Sequence, residues 1–520
     1  MTFVGYAPPQ GQFKPSANYN PDIPETDDKP ALAAVAFLIP TIIWIEVNAV
    51  GRIFAPELLL IGLLPFLLLT RGAMLADPLP RTFLIMAFMW LLAQIVTDLI
   101  RDTPFRDFSR GWSKIIFFSM NFAAIYMLIY GSRKRIMLFA LGIVFGGYLS
   151  FLLNPSDFAA RQPWKFGLGI PTIMLVLLIT QWRPIFKVFG LPTLLILAVG
   201  IYSMIAGSRS MAGIAILTAL YVYVQQMLGR KRTAPAGFSP MRTFMFFAGG
   251  IMIATTLLNS YQFAASNGML GELAQETYAR QSAGSFGVLL GGRSEIFVSS
   301  QAVMDSPIIG HGSWAKNREY VSRIYELERY GYDITYFASE EGLIPTHSHL
   351  MGGWVEAGIM GAIFWIWMLI LVFRVMSNLY MMREPLSPIV TFVGFLMLWD
   401  ILFSPFGGSR RVTLPFNIVM MMFVWEVLRS SVPKDMLGGV RHRMPQMGRG
   451  VRRQQNGRPP QNGYPPQNGY PPPNGYPQQN GNPPRQPAPN GHPQGQRPLP
   501  PGVRPGPRGT APRPRRRPPR

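Results

Sequence analysis

Two histidines stand two residues apart in the run Pro345-Thr-His-Ser-His349. Imidazole is the side chain best suited to chemistry near neutral pH, because its charge changes there. As a metal site the pair is poor: no third ligand accompanies it, and the carboxylates nearby, Glu340 and Glu341, are a common residue type. A single imidazole suits general acid–base work, or the orienting of a hydroxyl, better. The pair lies beside the start of a helix, and the positive end of a helix favours the neutral ring, hence a base. The alternative is a histidine that merely packs at an interface. The same polar stretch, from about Ser260 to Gly361, holds Arg280, Arg293 and His311 and runs on to Gly358 and Gly361. It is the one long polar interruption in roughly 400 residues of otherwise apolar chain.

The elements that must position these residues are apolar. Of 520 residues, 49% are hydrophobic and 14% charged, where soluble domains run near a quarter charged. Apolar runs fall at about 31–50, 53–70, 82–100, 114–130, 136–153, 166–180, 186–206, 211–228, 242–259, 348–373, 387–403 and 413–428. Each is long enough to cross a hydrocarbon core of about 30 Å as a helix. The expectation is therefore an all-α polytopic membrane protein with about twelve transmembrane helices. A large extracytoplasmic loop separates the ninth from the tenth. Pro40, Pro65, Pro171 and Pro192 are the expected kink sites. Cysteine is absent, which excludes disulfides and thiolate metal sites. The first 30 residues are polar, Pro-rich and acidic, unlike a cleavable signal peptide. The first apolar run is expected to serve as an uncleaved anchor.

Orientation follows from the Lys/Arg bias of the short loops. With the N-terminus inside, Arg71 and Arg81, Arg133-Lys134-Arg135, Arg183 and Lys187, Arg230-Lys231-Arg232, and Arg374 and Arg383 all fall on the cytoplasmic side. The loops at 101–113, 154–165, 207–210, 260–346 and 404–412 then fall outside. They carry arginines too, among them Arg209, Arg293, Arg410 and Arg411. Each could be an interfacial arginine that snorkels. Several converging would instead suit an anionic ligand such as a diphosphate, which guanidinium grips well. Glu46, Glu57, Asp98, Glu356 and Asp400 lie within or beside spans. Pairing with arginine is the expected reason for them, and Glu57 and Asp98 lie near enough to helix ends for water to reach them. Residues 315–330 read as an amphipathic helix in the outer loop.

Five segments result: a disordered cytoplasmic N-terminus (1–30), helices one to nine (31–259), a periplasmic catalytic loop (260–346), helices ten to twelve (347–430) and a cytoplasmic tail (431–520). From Arg429 onward the chain carries 17 basic residues against one acid, Asp435, so about +16 of the net +22 sits at this end. Asn-Gly recurs every six residues from Asn456 to Asn480, between Pro-rich units. Such a Pro/Gly/Arg-rich composition buries no core and is expected to stay disordered. It suits a solvated tether or anionic headgroups; nucleic acid is not the expected partner.

His347-Ser348, nine residues, Gly358, two residues and Gly361 resemble the signature of the O-antigen ligase/polymerase superfamily. Gly291-Gly-Arg-Ser-Glu295, Asp305-Ser-Pro-Ile-Ile-Gly-His-Gly312 and Gly207-Ser-Arg-Ser-Met211 resemble its arginine segment, its glycine step and its small outer turn. Leucine does not occupy the fourth place after Arg209, a departure from some lipid A-core ligases. The resemblance covers about residues 30–430. It implies a fold similar to the C-type membrane glycosyltransferases and an inverting, metal-independent transferase without cofactors in a bacterial inner membrane. The donor would be an undecaprenyl-diphosphate-linked glycan and the acceptor a lipid or saccharide hydroxyl; other polysaccharide-assembly proteins are the further partners it suggests. His347, Arg293 and Arg209 would be catalytic; Arg280, His349, Arg410 and Arg411 would bind substrate; Gly358 and Gly361 are the motif glycines. Polymerase is favoured over ligase. The alternative class is a transporter or flippase of lipid-linked oligosaccharide, which predicts internal repeats and no large outer loop.

Overall fold

The computed structural model describes residues 29–48, 51–228, 240–282, 295–320, 322–323, 342–380 and 386–430, apart from some side chains among them. All of these lie in one compact unit that ends at His442. The described residues are mostly helical: α1 (Pro30–Thr41), α2 (Ala55–Arg71), α3 (Pro78–Ile100), α4 (Phe105–Ile129), α5 (Arg133–Leu153), α6 (Asp157–Arg161), α7 (Gly169–Ile179), α8 (Arg183–Lys187), α9 (Leu191–Ile205), α10 (Arg209–Leu228), α11 (Pro240–Ser266), α12 (Glu272–Ser282), α13 (Glu295–Asp305), α14 (His349–Leu379), α15 (Ser387–Phe403) and α16 (Arg410–Ser430). Among the described residues, seven helices are long and apolar enough to cross a membrane; α1, α9, α15 and the stretch Trp164–Ile179 are apolar but shorter.

Each apolar run of the sequence holds a helix, but the first differs from its expected shape. Helix α1 stops at Thr41, and Glu46–Asn48 (β1) pairs antiparallel with Arg52–Phe54 (β2). Pro40 occupies the last turn, and the β-branched Ile42, Ile43, Ile45 and Val47 that follow favour extended backbone. The seventh run is also divided, between the five-residue α8 and α9, with Gly190 in a left-handed conformation ahead of α9.

The core centres on α4, whose residues from Asn121 to Ile129 are all buried. Helices α2, α3 and α16 pack around it, and α14 lies against α3, α15 and α16. Phe83, Trp90, Phe118, Phe122, Phe364 and Trp365 form one aromatic cluster across α3, α4 and α14. The perimeter is apolar as well. Leu69, Leu99, Leu152 and Phe88 point outward, as side chains facing lipid would.

Helix α14 is two segments. Gly358 has φ 65° and ψ −155°, outside the helical region. A Cβ there would collide with the backbone oxygen of Ile308. One turn on, a Cβ at Gly361 would collide with the backbone of Gly353. Both motif glycines thus serve close backbone approach. Residues 359–379 still suffice for a crossing of about 30 Å.

Candidate active site

The run His347-Ser348-His349 is fastened to the C-terminal end of α15. Ser348 caps α14 by accepting from Met351 N–H (3.1 Å), and its hydroxyl donates to Ile401 O (2.8 Å). His349 is buried, its ring edge-on to Trp365 and Phe406 with centroids 4.9 and 5.4 Å away. Its Nδ1–H donates to Ser404 O (2.5 Å). These anchors leave His347 at the surface, with 43% of its side chain exposed. It opens on a small cavity that Ser299, Met351, Leu402 and Phe403 also line.

Behind His347 stands Glu295. Its Oε1 lies 3.1 Å from His347 Nδ1, within hydrogen-bonding distance, and its side chain is only 3% exposed. Its Oε2 is buried with no partner among the described residues. Glu295 opens α13, which packs on α14 through a satellite core of Val298, Ala302, Val303, Ala315, Tyr320, Ile344 and Val355. In the sequence Glu295 closes the segment Gly291–Glu295, and its proximity to a histidine 52 residues away is invisible at the level of spacing.

The segment between α13 and the histidines is clamped into the break of α14. His311 N–H donates to Val355 O (2.7 Å), Gly312 N–H to Glu356 O (3.1 Å), and Ile359 N–H to Ile308 O (3.3 Å). Arg101, just past α3, donates to Gly310 O (3.0 Å) and Ser306 Oγ (2.7 Å), and Thr97 Oγ1 of α3 donates to Ile309 O. Asp98 accepts from Ser313 N–H (2.6 Å), Ser313 Oγ (2.7 Å) and Trp112 Nε1 (2.7 Å). Asp98 and Glu57 are therefore not wet helix-end acids: both are buried. At the other end of α13, Asp305 accepts from Tyr320 OH (2.5 Å) and Gln301 Nε2 (2.7 Å), which holds its carboxyl below the usual range. Burial, reinforced by that bond, pushes the Tyr320 hydroxyl up to about 12. Of residues 315–330, expected as one helix, 315–317 are not helical, Lys316 forming an isolated bridge with Leu343; 318–320 and 322–323 are helical, and the rest lie outside the described residues.

The arginines separate. Arg410, the first residue of α16, lies 2.8 Å from Asp400 in the last turn of α15. Arg411 has another partner. Its Nε and Nη2 pair with the two oxygens of fully buried Glu57 (2.7 and 2.8 Å), and Nη2 also donates to Arg52 O (2.6 Å). Arg411 and His349, both expected to bind substrate, are thus placed respectively against Glu57 and in the buried core. Arg209 opens α10 with its guanidinium 5.1 Å from the Tyr261 ring centroid. Arg293 and the side chain of Arg280 lie outside the described residues. Three of the five span acids meet arginine, Glu46 with Arg52, Glu57 with Arg411 and Asp400 with Arg410; Glu356 meets Lys114 (2.5 Å).

Comparison with known protein families, with curated proteins and with solved structures finds no match.

Proposed function

We propose that the chain is an integral-membrane glycosyltransferase that moves a polyprenyl-diphosphate-linked glycan onto an acceptor hydroxyl on the extracytoplasmic face. One observation carries this reading: His347 exposes its imidazole on a fixed backbone where the polar stretch enters a membrane-length helix. Ser348 and His349 are engaged in anchoring, so His347 is the one of the three able to reach substrate. The resemblance of its surroundings to the O-antigen ligase/polymerase signature adds the donor class. In this reading about twelve segments span a bacterial inner membrane, both termini are cytoplasmic and residues 260–346 are periplasmic.

The acceptor oxygen attacks the anomeric carbon, and His347 Nε2 takes the hydroxyl proton. The bond from that carbon to the diphosphate oxygen breaks with inversion, and its electron pair leaves on the polyprenyl diphosphate. Arg209 and Arg293 hold the diphosphate and offset its growing charge, with Arg410 at the rim. The acceptor distinguishes the two family activities. A second lipid-linked repeat makes a polymerase, the favoured case; a lipid or other saccharide hydroxyl makes a ligase.

The test is polysaccharide output in a deletion strain carrying wild-type protein or His347→Ala at matched membrane levels. Loss of polymer with accumulation of lipid-linked units is expected. Accumulation of single repeats marks a polymerase, and of complete unattached glycan a ligase. Normal polymer from the variant overturns the reading.

A further inference from the structure

We propose that Glu295 is the positioning residue of His347. Its carboxylate fixes the imidazole with the proton on Nδ1, presents Nε2 as the base, and stabilises the imidazolium that forms as the acceptor is deprotonated. This inference rests on the transferase reading above.

The contrast among the buried acids carries the argument. Glu57 meets Arg411, Asp107 meets Lys316, and Asp400 meets Arg410. Asp98 has no cation within reach among the described residues but takes three donors. Glu295 is as deeply buried as these, yet its partner on the described residues is an imidazole, 3.1 Å away, and its second oxygen has none. Burying a carboxylate is costly unless a charge or a set of donors compensates it. Two features keep it in place. It opens an 11-residue helix, whose N-terminal partial charge favours an anion. A packed satellite core holds that helix on α14.

The consequence is differential. With neutral His347, Nδ1–H donates to Glu295 and leaves the buried charge only partly compensated. When Nε2 accepts the proton of a hydroxyl, the ring becomes a cation beside that carboxylate. The pair is then stronger in the transition state than in the ground state, which is the condition for acceleration. The Nδ1 proton does not move, and Glu295 touches neither donor nor acceptor. The substrate that needs such a base is a neutral hydroxyl, such as a sugar hydroxyl, and not a group that is already anionic.

Two variants of the full-length protein separate orientation from charge. Glu295→Gln keeps the shape and an acceptor for Nδ1–H; Glu295→Ala removes both. The tautomer of His347 is read by NMR of ¹⁵N-histidine-labelled protein in detergent, with His347→Gln to assign its signals. Nδ1–H is expected in wild type and in Glu295→Gln, and the Nε2–H form in Glu295→Ala. An Nδ1–H ring in Glu295→Ala overturns the inference. Polymer output is then followed in cells. Glu295→Gln should lower output at least about tenfold, part of the 10²–10⁴ that a positioned base supplies. Unchanged output in Glu295→Gln, with His347→Ala inactive, sinks the role of Glu295 alone. Full output from His347→Ala sinks the transferase reading, whatever the tautomer shows.

Discussion

Neighbouring arginines divide the labour at the end of α15. Arg410 and Arg411 are adjacent and chemically identical, yet one pairs with Asp400 of α15 and the other with Glu57 of α2. Arg411 is held by a carboxylate with no exposure at all, and Asn121 donates to the same carboxylate (3.3 Å) and to Arg411 O (2.9 Å). Arg411→Ala should therefore cost about 3–5 kcal/mol of stability, because it strands Glu57 as a buried charge. Arg410 is a third exposed and Asp400 retains some solvent, so Arg410→Ala should cost about 1 kcal/mol or less while lowering polymer output. Thermal unfolding in detergent beside output in cells checks both. Equal destabilisation by the two variants would place Arg410 among the structural residues. Residue types were legible here from the sequence: acids near spans were expected to meet arginine, and three do. Which of two adjacent arginines meets an acid was not legible, because one step along a helix turns a side chain by about 100°.

At the scale of elements, the break in α14 organises the site. Sequence pointed to Pro40, Pro65, Pro171 and Pro192 as kinks, but the interruption that receives the polar stretch falls at Gly358. Proline signals a kink by itself, whereas glycine does so only when a neighbour demands a positive φ, here the backbone at Ile308. Gly358→Ala should cost more than about 2 kcal/mol, since left-handed backbone and a clash add. Gly352→Ala, where a Cβ meets only Thr346 Oγ1 at 3.4 Å, should be tolerated. The fraction of each variant recovered monodisperse in detergent distinguishes them; equal recovery would mean the break relaxes freely. The clamp of α3 on residues 306–313 was hidden for the same reason. Asp98 and Ser313 lie 215 positions apart, and the need that joins them is burial.

The described residues form a body of helices, seven of them of membrane-crossing length, and the cysteine-free chain makes its orientation directly measurable. Ser322→Cys in the polar stretch and Lys187→Cys in α8 are both at exposed positions. In intact cells a membrane-impermeant maleimide should label Ser322→Cys and spare Lys187→Cys until the membrane is opened. The reverse pattern would invert the topology drawn from the loop charges and remove His347 from the extracytoplasmic face. The sequence by itself determined the class of the molecule, because apolar runs long enough for a bilayer and a 14% charge content leave few other solutions. It also determined the segment in which the chemistry would be sought, because histidine and the paired glycines are local signals. Only the tertiary structure decided that His347 rather than His349 is exposed, that Glu295 stands behind it, and that Arg411 belongs to Glu57. The reason is physical. Span length and charge are properties of consecutive residues, whereas burial and partnership are set by which elements pack, across separations of up to 359 positions.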